Sequence, residues 1–448
     1  MSKDLLPRRQ FIKSTTALAA GTLLSPALSI GKQSKEKMRI ALVGTGTRGI
    51  NMWGKRVRDN YGHAAEFVGL CDHNPGRLAY AKKYIGAECP TYTDFDQMMK
   101  ETKANTLIVT TVDSTHHEFI IKGLEAGANV ITEKPMTTDE EKCQAILDAE
   151  QKSGKKVTVT FNYRYSPHRQ KIYQLLREGA IGDIVSCDFH WYLDIYHGAA
   201  YFRRWHGFKD KGGTLLVHKS THHFDLLNWW LETEPEEVYA YGALEHYGKN
   251  NSFRHTHCRP CPHKNKCQFY WKIDDYHQKL YADHEEFDGY LRDGCVWREK
   301  IDIYDKMAAQ IRYANNVFVS YSLTTYSPYE GYRIAFNGTT GRLEAWIKER
   351  QPWVPEDDKY DEIRLTNNFG YSQVIQVPHA GGGHGGGDTR LMDKVFDPNL
   401  PDPWRQAAGT RDGSMSILTG IAARKSIEEK RPIKIADLTS LKPQAIRP

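Results

Sequence analysis

The sequence predicts a doubly wound α/β domain followed by an α+β domain with a large, mainly antiparallel sheet. In the first part of the chain, short apolar strands alternate with helical segments, which is typical of a parallel sheet. A glycine-rich turn follows the first of these strands. From Ile184 onward the strands become longer, alternate in polarity and carry many aromatic residues, which favours an antiparallel sheet with one covered face.

The length and composition are those of a globular protein with more than one domain. The chain has 448 residues, of which 40% are hydrophobic and 26% are charged, and its net charge is +6. The basic residues are dispersed, so the charge pattern does not favour nucleic-acid binding. We divide the chain into an N-terminal signal and linker (1–36), a first domain (37–161) and a second domain (162–448) with a cysteine-rich insertion (245–297).

The N-terminus has the pattern of a twin-arginine export signal. Arg8 and Arg9 precede Phe11-Ile12-Lys13, and the stretch from Ser14 to Ile30 is uncharged. That stretch is shorter and less apolar than the ~20 residues that a membrane span needs. The alternative is a basic helix or a short anchor. The pattern predicts a periplasmic protein that is free of the membrane once the signal is removed, and this route carries proteins that are already folded.

The glycine-rich turn has the spacing of a dinucleotide-binding motif. A predicted strand from Ile40 to Val43 is followed by Gly44, Gly46 and Gly49, and a helix is predicted from Ile50 to Val57. The three glycines allow a tight turn, a close approach of the backbone to a pyrophosphate, and close packing of helix on strand. The sequence therefore predicts a Rossmann domain, although a glycine turn in another kind of α/β protein remains the alternative.

An acidic residue follows the second strand. The apolar run from Glu66 to Cys71 ends at Asp72, where a carboxylate can bind the ribose 2′-hydroxyl of NAD. A carboxylate at this position would repel a 2′-phosphate. The sequence therefore predicts NAD rather than NADP.

Two further segments carry residues suited to acid–base chemistry. Lys134 lies in Glu133-Lys134-Pro135, directly after a predicted strand, where it can polarise a carbonyl or stabilise an alkoxide. The segment from Gly212 to Asp225 is predicted to be a strand entering a helix. His218 and His222 are four residues apart, so their side chains share a face if the segment is helical. Either imidazole can take the proton of a hydroxyl group. The alternative is that this histidine-rich segment only caps a helix.

These motifs, in this order, resemble those of the Gfo/Idh/MocA family of oxidoreductases. The resemblance covers about 37 to 440 and rests on the glycine motif, Thr111 through His116, Glu133-Lys134-Pro135, Asn162-Tyr163-Arg164, and the Gly212 to Asp225 segment. It implies that Lys134 and His222 are the catalytic pair. Many sugar-oxidising members carry Asp where this chain has His218, so the acid–base role is divided between His218 and His222.

The resemblance also implies cofactor and substrate contacts. The implied cofactor-binding residues are Gly44, Gly46, Thr47, Arg48, Asp72, Thr111, His116, Glu133, Lys134 and Arg164. On the substrate side we assign Tyr163, His223 and His384, and a homo-oligomer, dimer or tetramer, is expected.

The implied activity is oxidation of a secondary hydroxyl of a sugar or glycoside by an exported enzyme with tightly bound NAD. The alternative is an NAD-dependent glycosidase that works by transient oxidation, elimination, water addition and re-reduction. The glycine- and histidine-rich loop from His379 to Asp388 is similar to a loop in a glycosidase branch of the family. This loop could instead bind a metal or lie on the surface.

Four cysteines in the insertion have a spacing typical of a structural site. Cys258 and Cys261 form C-x-x-C, Cys267 follows, and Cys295 completes a set of four. The pattern predicts either a closed structural zinc site or two disulfides, the latter being permitted in an oxidising compartment. The remaining cysteines are expected to be buried free thiols.

Overall fold

The computed structural model describes residues 37–350 and 359–448. The predicted export signal at Arg8 and Arg9 lies outside the described residues. Within the described ranges, no helix is both long enough and apolar enough to cross a membrane.

The first sheet is parallel, as predicted, and has six strands in the order β3-β2-β1-β4-β5-β6. Its strands are β1 (Met38–Val43), β2 (Ala65–Cys71), β3 (Thr91–Tyr92), β4 (Thr106–Val109), β5 (Asn129–Thr132) and β6 (Val157–Val159). Every residue of β4 is buried, because helices cover both faces of the sheet. The carboxyl ends of these strands form the edge where ligands bind in sheets of this type.

The helices of this part connect consecutive strands. A π-helical segment, Gly49–Arg56, runs into α1 (Val57–Tyr61) and follows the glycine-rich turn. The others are α2 (Pro75–Ile85), α3 (Phe95–Thr102), α4 (His116–Glu125) and α5 (Glu140–Ser153). The side chains of Asn74, Asp94 and Asp139 cap α2, α3 and α5 by accepting backbone N–H bonds.

The second sheet has nine strands in the order β14-β13-β12-β11-β7-β10-β9-β8-β15. They are β7 (Ile184–Asp194), β8 (Pro235–Ala243), β9 (Lys306–Tyr313), β10 (Phe318–Ser327), β11 (Glu330–Gly338), β12 (Gly341–Arg350), β13 (Tyr360–Asn367), β14 (Ser372–Pro378) and β15 (Ile433–Lys434). All pairs are antiparallel except β7 with β10. Burial alternates along β10, so one face of the sheet is covered, as predicted.

The helices of the second part are α6 (Pro167–Arg177), α7 (Ile195–Arg203), α8 (Lys209–Gly212), α9 (Leu215–His218), α10 (Ser220–Leu231), α11 (Asp275–Leu280), α12 (Gly387–Phe396) and α13 (Thr410–Glu429). Of these, α6, α7 and α13 contact the large sheet, whereas α11 contacts α2 and α12 contacts the turn Asn162–Tyr165. α13 contacts α10 and β8. Trp191, Trp229 and Trp230 are fully buried in this core.

The predicted strand before His218 is wrong. Gly213 and Thr214 have φ angles of +68° and +85°, which turn the chain out of an extended path. The N–H groups of Val217 and His218 then bond to the carbonyl of Thr214, so this stretch is the helical turn α9. The catalytic candidates His218 and His222 therefore lie on two consecutive helical segments.

Candidate functional site

The glycine-rich turn has a shape that only glycine allows at two positions. Gly44 has a φ of +91°, and a Cβ there would lie 2.7 Å from the carbonyl of Thr110. A Cβ on Gly49 would lie 2.2 Å from the carbonyl oxygen of Gly44. Because these positions carry no side chain, the end of the strand and the start of the helix can approach each other closely. The first N–H groups of the helix then face the turn. These residues fit the pyrophosphate of a dinucleotide.

Asp72 lies beside this turn at the end of β2. Its carboxylate accepts hydrogen bonds from the backbone and side chain of Thr45 at 2.7 and 2.8 Å and from the N–H of Asn74 at 3.0 Å. The guanidinium of Arg77 lies 3.0 Å from Asp72 and 2.8 Å from Asp288. Burial opposes the charge of Asp72, but Arg77 and the backbone donors hold its pKa below the usual value. The carboxylate is thus ionised and fixed against the turn.

The loop that carries Lys134 is held by a buried histidine. His116 is 1% exposed, and its ring nitrogens lie 2.8 Å from the carbonyl oxygen of Pro135 and 3.1 Å from that of Thr111. His116 therefore joins the loops that follow β4 and β5. Both ring nitrogens are engaged with backbone, which supports a role in positioning Lys134 rather than in direct contact with a ligand.

Lys134 and His218 meet at the centre of the site. The Nζ of Lys134 donates to the backbone carbonyl of His218 at 3.3 Å. The Nδ1 of His218 lies 2.5 Å from Oδ2 of Asp113, and both side chains are buried. Burial lowers the pKa of Lys134 to about 8, against the opposing charges of Asp113 and Glu133. Burial also raises the pKa of Asp113 and lowers that of His218, so the pair holds one proton between the two groups and carries no net charge.

His222 lies beside an aromatic stack. The centre of its ring lies 4.1 Å from that of Tyr163, with an angle of 10° between the planes. The ring centre of His384 lies 5.5 Å from that of Tyr163. Burial, followed by the charges of Lys134 and Lys219, places the pKa of His222 well below its usual value. His222 is therefore neutral at physiological pH and able to accept a proton.

A second-domain loop reaches the glycine-rich turn through Arg48. The Nε of Arg48 donates to Glu133 at 2.7 Å, and its other nitrogens lie 3.4 and 3.5 Å from Asp388. Asp388 also accepts from Asn162 at 2.6 Å and lies 3.1 Å from His384. The predicted loop residue His384 is thus brought to the site by Asp388.

The other end of the same loop lies elsewhere. His379 is 3.2 Å from Asp361 and lines a cavity of about 1040 Å³ on the outer face of the large sheet. This cavity shares no lining residue with the Lys134 site.

Two predicted contacts are corrected. Arg164 is fully buried, and its guanidinium donates to Asp225 at 2.8 and 2.5 Å and to Asp412 at 3.0 Å, so it stabilises the second domain and does not face a cofactor. His223 is also fully buried. It stacks on Trp191 at 4.1 Å and bonds to the hydroxyl of Tyr321 at 2.8 Å, so it belongs to the core rather than to the substrate side.

Several residues of the site were missed in the sequence. Asp113 lies within the Thr111 to His116 motif, and its position after β4 was a usable signal. His206, whose ring is 4.2 Å from that of His218, gave no signal. Lys219 lies 2.9 Å from the hydroxyl of Tyr163 and 3.4 Å from Glu330. Asp113, His206 and Lys219 are all far from Lys134 in the sequence, so only the fold brings them close to it.

The insertion covers the glycine-rich turn. The N–H of Thr47 donates to the hydroxyl of Tyr281 at 2.9 Å, and the amide of Asn51 donates to the hydroxyl of Tyr276 at 2.8 Å. Further along, the amide of Asn74 donates to the carbonyl of His284 at 2.9 Å. Two aromatic residues of the insertion, Tyr276 and Tyr281, therefore contact the cofactor-binding turn and the helix that follows it.

The cysteine set does not support zinc. Cys258, Cys261, Cys267 and Cys295 are free thiols that line one small space, and Cys258 accepts a bond from Arg203 at 3.1 Å. Within the described ranges, three potential ligand atoms lie within 4.8 Å of one another only at Asp194, His197 and Glu330. Sulfur atoms around one zinc would lie closer together than that limit, so these thiols do not form a zinc site in this arrangement. No disulfide joins them here either.

Comparison with family models decides the identity of the fold. Residues 38–161 match the family model described as "Oxidoreductase family, NAD-binding Rossmann fold". Residues 173–435 match the model of the C-terminal alpha/beta domain of the same family. The chain belongs to the Gfo/Idh/MocA oxidoreductase family. It is therefore an oxidoreductase with an NAD-binding Rossmann domain, as the resemblance implied.

Curated relatives agree with this assignment. The chain is 39% identical over 421 residues to YteT of Bacillus subtilis (strain 168), covering 89% of this chain and 98% of that protein. It is 25% identical over 213 residues to inositol 2-dehydrogenase of Rubrobacter xylanophilus, covering 46% of this chain and 56% of that enzyme.

Solved structures of the family share the fold. A levoglucosan dehydrogenase in complex with NADH and levoglucosan has a TM-score of 0.62 at 19% identity, covering 89% of this chain and 100% of that one. The aldose-aldose oxidoreductase of Caulobacter crescentus has a TM-score of 0.60 at 16% identity, covering 89% and 99%. At these identities the likeness concerns the fold alone.

Proposed function

We propose that this family member is an exported enzyme that oxidises a secondary hydroxyl of a sugar or glycoside with a tightly bound NAD. The observation that carries the proposal is that Lys134 contacts the Asp113–His218 pair, acts by its charge on His222, and follows Glu133, which binds Arg48 of the turn that fits a dinucleotide. A cation, a neutral imidazole and a nicotinamide site together are what transfer of a proton and a hydride from one hydroxyl-bearing carbon requires.

In this mechanism His222 takes the proton of the substrate hydroxyl. Its pKa lies well below the usual value, so the ring is neutral and can accept the proton. The ammonium of Lys134 stabilises the oxyanion that develops, and the Asp113–His218 pair positions it through the carbonyl of His218. The glycine-rich turn and Asp72 would hold NAD, which would supply the hydride acceptor for the same carbon.

The charges near Asp72 support NAD over NADP. Among the described residues, Arg77 is the one arginine or lysine within 4.0 Å of Asp72, and it is shared with Asp288; the ring of His73 lies 3.6 Å from Asp72 and 3.4 Å from Asp288. Two carboxylates against one guanidinium leave a net negative charge beside the expected ribose. A 2′-phosphate would be repelled there.

The insertion and the export signal together support a cofactor that does not dissociate. Tyr281 and Tyr276 hold the insertion against the cofactor-binding turn. Arg8 and Arg9 support export of the folded protein, after which a lost nucleotide could not be replaced. The nucleotide would then have to be recycled in place.

A retained cofactor also supports a second candidate, an NAD-dependent glycosidase. In that reaction one ring carbon is oxidised transiently, the aglycone is eliminated, water is added, and the ketone is reduced again, so there is no net redox change. The position of His384 beside Tyr163 favours this candidate, because it places a further imidazole at the site.

The first experiment is to denature the exported protein and identify any released nucleotide by mass spectrometry. A stoichiometric amount of NAD or NADH supports the proposal, and no nucleotide would contradict a tightly bound cofactor. A panel of sugars and glycosides then separates the two reactions. Release of an aglycone without a net change in nicotinamide absorbance identifies the glycosidase.

We also propose a homo-oligomer that uses the outer face of the large sheet. Trp346, Tyr360 and Val374 are exposed there on neighbouring strands. A row of exposed apolar side chains on a sheet is typical of an interface. Light scattering on the purified protein tests this, and a monomer at micromolar concentration would contradict it.

A further inference from the structure

Two arginines near the catalytic residues have no carboxylate partner. Within the described ranges, neither Arg204 nor Arg292 lies within 4.0 Å of a carboxylate oxygen. The Nε of Arg204 donates to the carbonyl of Ala200 at 2.8 Å. Arg292 lies 3.4 Å from the ring of His277, and its Nε is buried without a hydrogen-bond partner.

The neighbouring arginines show what a structural role looks like in this region. Arg203 donates to the carbonyls of Phe269 and Gly294 and to the sulfur of Cys258. Arg298 donates to the backbone carbonyls of Phe202, Arg203 and Cys295. These two guanidinium groups fix the insertion to α7. The guanidinium of Arg292 instead interacts with the side chains of Tyr290 and His277, and in the described part of the chain neither it nor that of Arg204 has a comparable set of carbonyl acceptors.

One unpaired arginine lies near His218, and the other belongs to the insertion. The guanidinium of Arg204 is 5.4 Å from the ring centre of Tyr201, whose ring lies 5.3 Å from that of His218. The guanidinium of Arg292 is 5.3 Å from the ring centre of Tyr281, which contacts the glycine-rich turn. The two arginines therefore come to the site from different segments, one directly after α7 and one from the insertion.

Their charges act on each other and on the site. Burial lowers the pKa of Arg204 to about 10, and the charge of Arg292 contributes to this shift. The charge of Arg204 also contributes to the lowered pKa values of His206 and His218. Both side chains are only partly exposed, and two cations that repel each other in such a place raise its free energy. An anion that contacts both guanidinium groups would offset this repulsion.

We propose that Arg204 and Arg292 form an oxyanion site beside Lys134 and His218, and that it binds the carboxylate of an acidic sugar substrate. A guanidinium matches a carboxylate with two parallel N–H donors, which makes arginine the usual residue for this contact. The inference rests on the proposed oxidation of a sugar hydroxyl and narrows the substrate to uronate-type sugars. The pyrophosphate of the cofactor is the other possible oxyanion, and the experiment below distinguishes the two.

The test compares matched neutral and acidic ligands by calorimetry, using the full chain with the nucleotide it carries. The two pairs are methyl glucoside with methyl glucuronide and methyl galactoside with methyl galacturonide. In at least one pair, we expect the acidic ligand to bind about tenfold more tightly or better, because its carboxylate gains a hydrogen bond to a charged guanidinium. Equal affinities in both pairs would overturn the proposal.

Substitution assigns the preference to the two arginines. In Arg204→Gln and Arg292→Gln, we expect the ratio of neutral to acidic dissociation constants to fall toward one. Arg333→Gln is the matched control, because Arg333 is exposed over Trp346 on the outer sheet face and carries the same charge. The proposal is overturned if the ratio is unchanged in both Arg204→Gln and Arg292→Gln, or if it falls equally in Arg333→Gln.

Nucleotide content separates the two sources of the oxyanion. Site variants that lose bound nucleotide but keep the acidic preference would assign the arginines to the pyrophosphate and overturn the substrate proposal. If a Gln variant does not fold, Arg204→Lys and Arg292→Lys keep the charge without the two-pronged contact, and an unchanged ratio in them overturns it. Binding needs no turnover, so a preference without any oxidation would leave this inference standing while the proposed function fails.

Discussion

At the scale of single residues, the site depends on a lysine that is kept partly desolvated. Lys134 has the carbonyl of His218 as its hydrogen-bond acceptor, and Glu133 is occupied by Arg48 and Trp53. Its ammonium is therefore available to an oxyanion of the substrate. This arrangement leads to three predictions.

Replacing Lys134 with Ala should lower turnover by about a hundredfold or more, because the developing oxyanion loses its cation. Steady-state kinetics measures this, and a thermal melt checks that the fold is intact. Lys122→Ala is the matched control, since Lys122 is an exposed cation on α4. Unchanged turnover in the Lys134 variant would remove Lys134 from the mechanism.

The pH profile should have an alkaline limb near the pKa of Lys134. That pKa is lowered to about 8, so the ammonium needed for catalysis is present below this pH and is lost above it. His222 stays neutral to well below pH ~6.5, its ordinary pKa, so it does not limit activity near neutrality. Lys134→Arg should remove the alkaline limb in whatever activity remains. A wild-type rate that stays constant to pH ~10, the ordinary lysine pKa, would contradict the assignment.

The adjacent histidines should differ in what they affect. His222→Gln should lower turnover by about a hundredfold or more through loss of the general base. His223→Gln should instead lower stability by about 1–3 kcal/mol, because it breaks the buried bond to Tyr321. Turnover and thermal unfolding of both variants measure this. A larger turnover loss in the His223 variant would reverse the two roles.

At the scale of elements, the insertion brings side chains of the second domain to the glycine-rich turn. It leaves the large sheet after β8, returns at β9, and places Tyr281 on the N–H of Thr47. A segment that is far from the glycine-rich turn in sequence is thus in direct contact with it. This contact is the physical reason for which we expect slow release of a bound nucleotide.

Tyr281→Ala should speed the exchange of bound nucleotide by about tenfold, the effect of losing one hydrogen bond and its ring contact. Exchange is followed with isotopically labelled NAD added in excess. Tyr270→Ala is the control, because Tyr270 is an exposed residue of the same insertion. Identical exchange rates in the two variants would show that the insertion does not retain the cofactor.

At the scale of the whole molecule, the two sheets are joined at the site by charge. Arg48 next to the glycine-rich turn is held by Glu133 of the first part and Asp388 of the second. Arg48, His384 and Asn162 hold the pKa of Asp388 well below its usual range. The site therefore exists only when both parts of the chain are folded together.

A site of this kind would have to be assembled before the proposed export, which the twin-arginine route allows. Arg8→Lys combined with Arg9→Lys should keep the protein in the cytoplasm with its nucleotide bound. Cell fractionation and immunoblotting measure the location, and a deletion of 1–36 provides the non-exported reference. Full export of the double variant would contradict the twin-arginine route.

The sequence determined the strand–helix alternation, the glycine-rich turn, and the identity of Asp72, Lys134 and His222 as candidates. These are local patterns, because a turn, a buried strand or a helix face is specified by residues close together in the chain. The resemblance to a known family rested on the same local motifs.

Only the tertiary structure decided which side chains meet. It paired Asp113 with His218, brought Tyr281 to the glycine-rich turn, and removed Arg164 and His223 from the site. It also replaced the predicted strand before His218 with a helical turn, because Thr214 takes a positive φ. Contacts between distant segments depend on packing, burial and charge, and no spacing along the chain encodes them.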